Sequence, residues 1–277
     1  MIAKTSEGNS SYNALQALLS RRFKQGFQFS AAYTWSKMMD STSDGVGNAN
    51  VQDPSGGNLT SVPVMYGGMK LDWAVSDFDR PQRLSLSYLW SLPGPRKGLL
   101  KNVFGDWQLG GITLFQSGTP FSLANGFDRA GFGDKEDRAD IGNPDLPVNT
   151  RAVIFTGCST GYQNPDTLAC VTPQQVHWIE GSGFPNAATV GRNTLRTGRT
   201  NNWDLNLTKV IPIGETSRLE LRGEALNAFN HPQYVNVQES QGVSFDSVVN
   251  SLPGRFLNRN FTDAGIRSMW VQVKLLF

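Results

Sequence analysis

Apolar and polar residues alternate with a period of two in several segments of this chain, and long polar segments separate them. The clearest case is residues 267–277, RSMWVQVKLLF, which predict a strand because strand side chains point alternately to two faces. One face of that strand is uncharged and consists of Met269, Val271, Val273, Leu275 and Phe277. Such a face suits either a strand against lipid, with the final ring at the membrane interface, or a core strand of a β-sandwich.

Six further segments have the pattern of strands. They are residues 12–23, 27–36, 82–91, 106–116, 202–210 and 218–229. The first has helical spacing as an alternative, but we prefer a strand because the turn signal KQG follows it. Its predicted apolar face consists of Leu15, Ala17, Leu19 and Phe23. In residues 27–36 the apolar face has rings at both ends and alanine between them, which is typical of the two aromatic girdles of a membrane barrel.

The connections between these predicted strands are alternately short and long. Short turns at 24–26, 92–98 and 212–217 alternate with polar segments at 38–81, 117–200 and 230–266. Strands that run up and down through a membrane produce this order, whereas a Greek-key sandwich mixes its connection lengths. We therefore predict an all-β fold, an antiparallel up-and-down transmembrane β-barrel segment of about seven or more strands, with long outer loops and short periplasmic turns.

The positions of the charged residues agree with this fold. A Lys or Arg that faces lipid at the bilayer centre costs about 2–4 kcal/mol. The exceptions on the predicted apolar faces are Arg21 and Lys209, both near short turns. The segment at 218–229 has a fully charged face formed by Arg218, Glu220, Arg222 and Glu224. We predict that these side chains face a wet lumen, where cross-strand ion pairs are favourable.

Composition excludes several classes of protein. The 277 residues are 39% hydrophobic, with a mean hydropathy of −0.32 and a net charge of +2. No run approaches the roughly 20 apolar residues of a membrane-spanning helix, and the weak, dispersed charge predicts no nucleic-acid partner. The first residues, MIAKTSEGNSSYN, lack the order of a signal peptide, so we expect an export signal to lie elsewhere.

The two cysteines, Cys158 and Cys170, lie in a polar segment rich in Gly and Pro. We predict a disulfide between them, worth roughly 3 kcal/mol in the chain-entropy model for a loop of this length. A disulfide is typical of an oxidising compartment, and two unpaired thiols are the alternative.

The sequence contains no pattern for catalysis, a cofactor or a metal. His177, His231 and the two cysteines match neither a serine triad nor a zinc spacing. The acidic run GDKEDRAD at 133–140 is interleaved with Lys and Arg and lacks the order of an EF-hand. We predict that the protein is not an enzyme. Three arginines suit either an anionic ligand on the outer side or a solvated loop: Arg192, Arg196 and Arg199.

Several stretches resemble the C-terminal part of TonB-dependent outer-membrane transporters, in particular the Oar-like group. The resemblance is carried by SYNALQALLSRRF, GFQFSAAYTWSK, DFDRPQRLSLSYLW, FGDWQLGGITLFQSGTPFS, GRNTLRTGRTNNWDLNLTKVIPI, LELRGEALNAFNHPQY and MWVQVKLLF. The segments GEALNAFNHPQY and MWVQVKLLF are the most specific. The closing face from Met269 to Phe277 resembles the signal that the outer-membrane barrel assembly machinery recognises.

The resemblance implies a place for this chain in a larger protein. Such transporters have about 22 strands around a plug, whereas this sequence predicts about seven strands, no plug domain and no energy-coupling box. Residues 1–277 are therefore expected to form the C-terminal part of the barrel, an incomplete barrel without the plug. The implied partners are the other strands, the plug, outer-membrane lipid and the TonB energy-coupling complex.

The function implied by this resemblance is active uptake of a bulky nutrient across the bacterial outer membrane. The alternatives are a passive porin or scaffold barrel, and a secreted β-sandwich adhesin or lectin.

Overall fold

The computed structural model describes residues 8–41, 43, 73–95, 97–121, 123–124, 139–181, 190–214, 216–234, 243–244 and 262–277. In chain order the strands are β1 (Ser10–Lys24), β2 (Phe27–Asp40), β3 (Ala74–Val75), β4 (Gln82–Ser91), β5 (Trp107–Gln116), β6 (Pro120–Phe121), β7 (Leu123–Ala124), β8 (Asp140–Ile141), β9 (Arg151–Ile154), β10 (Tyr162–Gln163), β11 (Cys170–Val171), β12 (Trp178–Ile179), β13 (Leu195–Arg196), β14 (Thr200–Ile213), β15 (Ser217–Leu226), β16 (Gln233–Tyr234), β17 (Val243–Ser244), β18 (Thr262–Ala264) and β19 (Ser268–Leu276). A short helix, α1 (Leu99–Phe104), precedes β5, and a 3-10 helix covers Pro173–Gln175. Neither described helix has the length and apolarity needed to cross a bilayer.

Eight strands form one antiparallel sheet. Its order is β1-β2-β4-β5-β14-β15-β19, and β3 pairs with the end of β2. All seven segments predicted as strands are strands in this sheet, including the first, whose helical alternative was wrong. β1 and β19 form the two edges, so the sheet is not closed within the described part of the chain.

Short and long connections meet opposite ends of the sheet, as predicted. We call the end with the short connections the turn end and the other the loop end. At the turn end Gln25 and Gly26 join β1 to β2 with φ angles of 56° and 80°, the left-handed pair that a two-residue hairpin needs. The second short connection contains α1, which the sequence pattern did not predict.

The strand register places all the predicted apolar faces on one side of the sheet. Ala31 of β2, for example, lies opposite Leu19 of β1 and Leu86 of β4, and residues directly opposite each other point to the same face. The same relation holds across every other neighbouring pair of long strands. We call this side the apolar face; it is formed by Leu15, Ala17, Leu19, Phe27, Phe29, Ala31, Tyr33, Trp35, Leu84, Leu86, Tyr88, Trp90, Trp107, Leu109, Gly111, Thr113, Phe115, Trp203, Leu205, Leu207, Leu219, Leu221, Gly223, Ala225, Met269, Val271, Val273 and Leu275. We call the other side the polar face.

One residue departs from the predicted pattern. The register of β1 shifts between Arg21 and Lys24, so that Lys24 lies opposite Phe27. The extra residue of a bulge moves the following side chains to the other face. Phe23 therefore leaves the apolar face and lines a groove on the polar face, and its predicted grouping with Leu19 is wrong.

A smaller unit lies beyond the loop end. It contains a five-stranded sheet in the order β11-β10-β9-β12-β8. The buried apolar cluster among the described residues is also found there and consists of Leu123, Ala139, Trp178 and Val190. The main sheet thus has no such cluster on either of its faces among the residues described.

Candidate functional site: the faces and rims of the sheet

The apolar face is open over its full width. Leu19 in β1 is 63% exposed, Trp35 in β2 is 59% exposed, and Val271 in β19 is 77% exposed. A β-sandwich would bury these side chains against a second sheet, and no described residue covers them. An apolar surface of this extent needs an apolar surrounding.

Aromatic rings on this face lie in two bands. Phe27 and Trp90 are paired at the turn end, and Trp35, Phe115 and Trp203 lie towards the loop end, the last two with ring centroids 5.7 Å apart. From Phe27 to Trp35 the strand extends roughly 26 Å, at about 3.3 Å per residue. At the usual strand tilt this is about 20 Å across the membrane, close to the roughly 25 Å apolar band of an outer-membrane barrel.

Tyr88 fills the space that a missing side chain leaves on β5. A Cβ atom on Gly111 would lie 2.6 Å from the Tyr88 hydroxyl oxygen and 2.9 Å from a methyl group of Leu205. The Tyr88 hydroxyl lies 3.4 Å from that of Thr113, which is fully buried. The tyrosine ring therefore crosses the glycine and keeps both hydroxyl groups away from lipid.

The two charged side chains predicted on the apolar face, Arg21 and Lys209, each bind a backbone carbonyl and lie near an aromatic ring. The Lys209 ammonium donates to the Gly105 carbonyl at 2.6 Å and lies 5.1 Å from the Trp107 ring centre. The Arg21 guanidinium donates to the Lys24 carbonyl at 3.3 Å and lies 5.9 Å from the Phe27 ring centre. Each cation thus reaches a carbonyl at the turn end while its aliphatic stem stays on the apolar face.

The polar face has a groove of about 480 Å³, with Ser20, Ser30, Ser87, Gly110 and Asn206 among its lining residues. Small and polar side chains thus leave space on the side of the sheet that faces away from lipid.

The predicted lumen-facing residues Arg218, Glu220, Arg222 and Glu224 all lie on the polar face of β15. Arg222 and Glu224 form an ion pair at 2.5 Å. Glu220 lies opposite Lys274 of β19. The register therefore directs these charges away from the apolar face.

A network of buried ion pairs joins distant segments at the loop end. Arg192, whose side chain is fully buried, pairs with the carboxylate of Asp40, which is 3% exposed. Arg192 also donates to the Asp40 carbonyl at 2.7 Å and to the Ser43 hydroxyl at 3.1 Å. Arg196 pairs with the buried Asp79 at 2.5 Å. These contacts attach residues 190–196 to the end of β2 and to the segment before β4.

The sequence predicted either an anionic ligand or a solvated loop for these arginines, and neither interpretation included this network. Arg192 and Arg196 are each paired with a carboxylate of the same chain, and Arg192 is buried as well. Burial, assisted by the nearby positive charge of Arg196, lowers the pKa of Arg80 within the same group. Arg199, the third arginine considered, is exposed.

The most specific sequence segment, GEALNAFNHPQY, forms a junction between three strands. Asn227 is 4% exposed with φ of 45°. Its side-chain amide donates to the carbonyls of His231 and Gly265 at 2.8 and 2.6 Å, and its side-chain oxygen accepts the His231 backbone N–H at 2.9 Å. Its backbone N–H donates to the Asp204 carboxylate at 2.9 Å. Asn227 thus links the loop ends of β14 and β15 to the segment before β19.

The loop-end unit is held by a disulfide and a buried ion pair. Cys158 and Cys170 form the disulfide, with Cα atoms 5.5 Å apart. Arg151 pairs with Asp166 at 3.3 Å, and burial lowers the pKa of Arg151 to about 10, against the opposing effect of Asp166. Burial raises the pKa of Tyr162, and the neighbouring charges of Asp140 and Glu180 add to the effect.

Each of the two histidines makes polar contacts within the chain. The His177 ring lies tilted against that of Trp178, with the ring centroids 4.2 Å apart, and its Nδ1 lies 2.6 Å from the Leu146 carbonyl oxygen. His231 follows the Asn227 junction at the end of β15. No group of three potential metal ligands is found among the described residues. Of the acidic run, Asp140 is in β8, and residues 134–138 lie outside the described residues.

An open apolar face, a polar face on the other side and two aromatic bands together define the wall of a membrane β-barrel. The chain belongs to the outer membrane beta barrel domain family, whose model matches residues 2–257. Its location is therefore the bacterial outer membrane, and its apolar face contacts lipid. Neither the curated proteins nor the solved structures contain a significant match to this chain.

Proposed function

We propose that this chain is the C-terminal barrel wall of a TonB-dependent transporter of the Oar-like type, which takes up a bulky nutrient. The observation that carries the proposal is the Asn227 junction. The segment most specific for that resemblance is also the one whose buried amide links β14, β15 and the approach to β19.

The directions of the edge strands support a larger barrel. β1 and β19 both run from the loop end to the turn end, so a direct pair between them would be parallel. Outer-membrane barrels are antiparallel with an even number of strands. Closing this wall by antiparallel pairs therefore takes an odd number of additional strands.

In such a transporter the described residues have two tasks. The polar face, with Arg222 and Glu224, would line the lumen beside a plug. The ion pairs at the loop end would hold the outer loops in place while the substrate enters. The proposed partners are the plug and the other strands, the TonB complex for energy and the barrel assembly machinery, which would recognise Met269, Val271, Val273, Leu275 and Phe277.

The experiment starts from the gene region upstream of the Met1 codon and uses the full-length protein that it encodes. We expect a plug and a coupling box there, and cross-linking to TonB in cells that is lost when the box is deleted. In planar bilayers the full-length protein should show no steady conductance until the plug is removed. A protein with open conductance and no cross-link to TonB would instead be a passive porin.

A further inference from the structure

The short helix α1 exposes large apolar side chains at the turn end. Leu100, Val103 and Phe104 are 63%, 57% and 62% exposed. A helix of six residues has little stability of its own in water, and three exposed apolar side chains add no stability to it. Their exposure therefore points to a contact outside the chain.

Two side chains of the apolar face hold this helix on their own side of the sheet. The Trp107 indole N–H donates to the Val103 carbonyl at 2.9 Å. Lys209 donates to the Gly105 carbonyl at 2.6 Å. Both side chains lie on the face that contacts lipid, so the end of α1 sits at the rim of that face, beside the aromatic band of the turn end.

The same segment has a basic flank. Lys97 and Lys101 lie before and within α1, and the exposed Lys24 lies at the same end of the sheet. Lys101 forms an ion pair with Asp106 at 3.5 Å, with both side chains substantially exposed. A pair of this kind contributes little, so the positive charge stays available to a partner.

We propose that residues 97–105 form an interfacial anchor on anionic phospholipid at the turn end. Leu100, Val103 and Phe104 enter the boundary between headgroups and acyl chains, and Lys97 and Lys101 contact lipid phosphates. The short turns of outer-membrane barrels lie on the periplasmic side, which identifies the lipid as phospholipid of the periplasmic leaflet. An apolar helix face next to basic side chains is the usual composition of an interfacial helix.

Lipid fits this surface better than a protein partner does for two reasons. The helix is continuous with the lipid-contacting face through Trp107 and Lys209. Its level is that of the turn-end aromatic band, where rings lie among headgroups. Charge complementarity with anionic headgroups supplies the rest of the attraction.

The first test measures depth in the bilayer. The full-length protein, with a nitroxide spin label on Val103→Cys, is reconstituted in vesicles that contain phosphatidylglycerol, and collision with oxygen is compared with collision with a water-soluble nickel complex. Two exposed valines give matched controls: Val271→Cys on the apolar face and Val148→Cys in the loop-end unit.

We expect the label at 103 to favour oxygen, as at 271, and the label at 148 to favour nickel. A label at 103 that behaves like that at 148, while 271 reports lipid, would overturn the anchor and leave the wall intact. A label at 271 that favours nickel would overturn both.

The second test measures the choice of headgroup. A bimane label at position 103 is quenched with brominated phosphatidylglycerol or brominated phosphatidylcholine in turn. We expect a preference for phosphatidylglycerol of up to roughly 25-fold, about fivefold for each lysine. The preference should vanish in the double variant Lys97→Gln/Lys101→Gln and persist in Lys37→Gln, a change at an exposed residue of β2. Equal quenching by the two lipids in the unaltered protein would refute the anionic partner.

Discussion

The buried pair of Arg192 and Asp40 gives the strongest prediction about the loop end. The two residues are 152 positions apart in sequence, and both side chains are almost completely buried. Arg192→Met leaves the buried Asp40 carboxylate without this cation, which costs about 3–5 kcal/mol. Asp40→Leu should cost less, because Arg192 also pairs with Asp77 at 3.9 Å. We therefore expect Arg192→Met or Asp40→Leu alone to release residues 190–196 from the end of β2.

The double variant Asp40→Leu/Arg192→Met should be far less harmful than the sum of the two changes. It removes both charges together and leaves apolar side chains of similar size. Part of the cost stays, because the Ser43 hydroxyl donates to the Asp40 carboxylate at 2.8 Å and loses that partner. We expect a coupling energy of at least about 2 kcal/mol in the double-mutant cycle.

Native-state proteolysis of the folded protein measures this directly. Chymotrypsin cleavage near residues 190–200 reports the free energy of local opening when opening and closing are fast. Arg199→Met is the matched control, because Arg199 is exposed. If Arg192→Met opened the segment no more than Arg199→Met, or if the two single effects simply added, the argument from buried charge would be wrong.

Three further changes test other parts of the wall. Asn227→Ala removes three side-chain hydrogen bonds at a buried site and should cost about 2–4 kcal/mol. This is more than we expect for Asn230→Ala, whose side chain accepts a hydrogen bond from the Arg267 N–H; urea unfolding of the detergent-solubilised protein compares the two. Gly111→Ala should cost about 1–3 kcal/mol, because its Cβ would meet Tyr88 and Leu205. Gly223→Ala, on the same face with open space around it, should be nearly neutral. Equal temperatures of heat-modified migration on gels for the two variants would contradict this contrast. Cys158→Ser/Cys170→Ser should destabilise the loop-end unit by roughly 3 kcal/mol and leave the main sheet intact. We expect proteolysis of this variant to be confined to residues 139–181, and unchanged cleavage would show that the disulfide is dispensable.

The lipid-facing wall could be predicted almost residue by residue. Residues 27–36 and 82–91 showed their two faces in the sequence, and the register placed Ala31 opposite Leu86 as a shared face requires. The bulge between Arg21 and Lys24 was not visible, because it depends on how β1 meets β2 rather than on the composition of either strand.

The rims were much less predictable. Arg192 looked like a loop residue open to solvent or an anion, and the structure buries it against Asp40. The sequence pattern did not predict the helix α1, because its position depends on hydrogen bonds from Trp107 and Lys209.

The sequence by itself determined the strands, the alternation of short and long connections, and which side chains share a face. These features follow from the two-residue period of an extended chain, which is a local property. The tertiary structure alone decided the partners of Arg192 and Asn227 and the place of α1. Those contacts join residues that are far apart in sequence, and they form only when the loops return to the ends of the folded sheet.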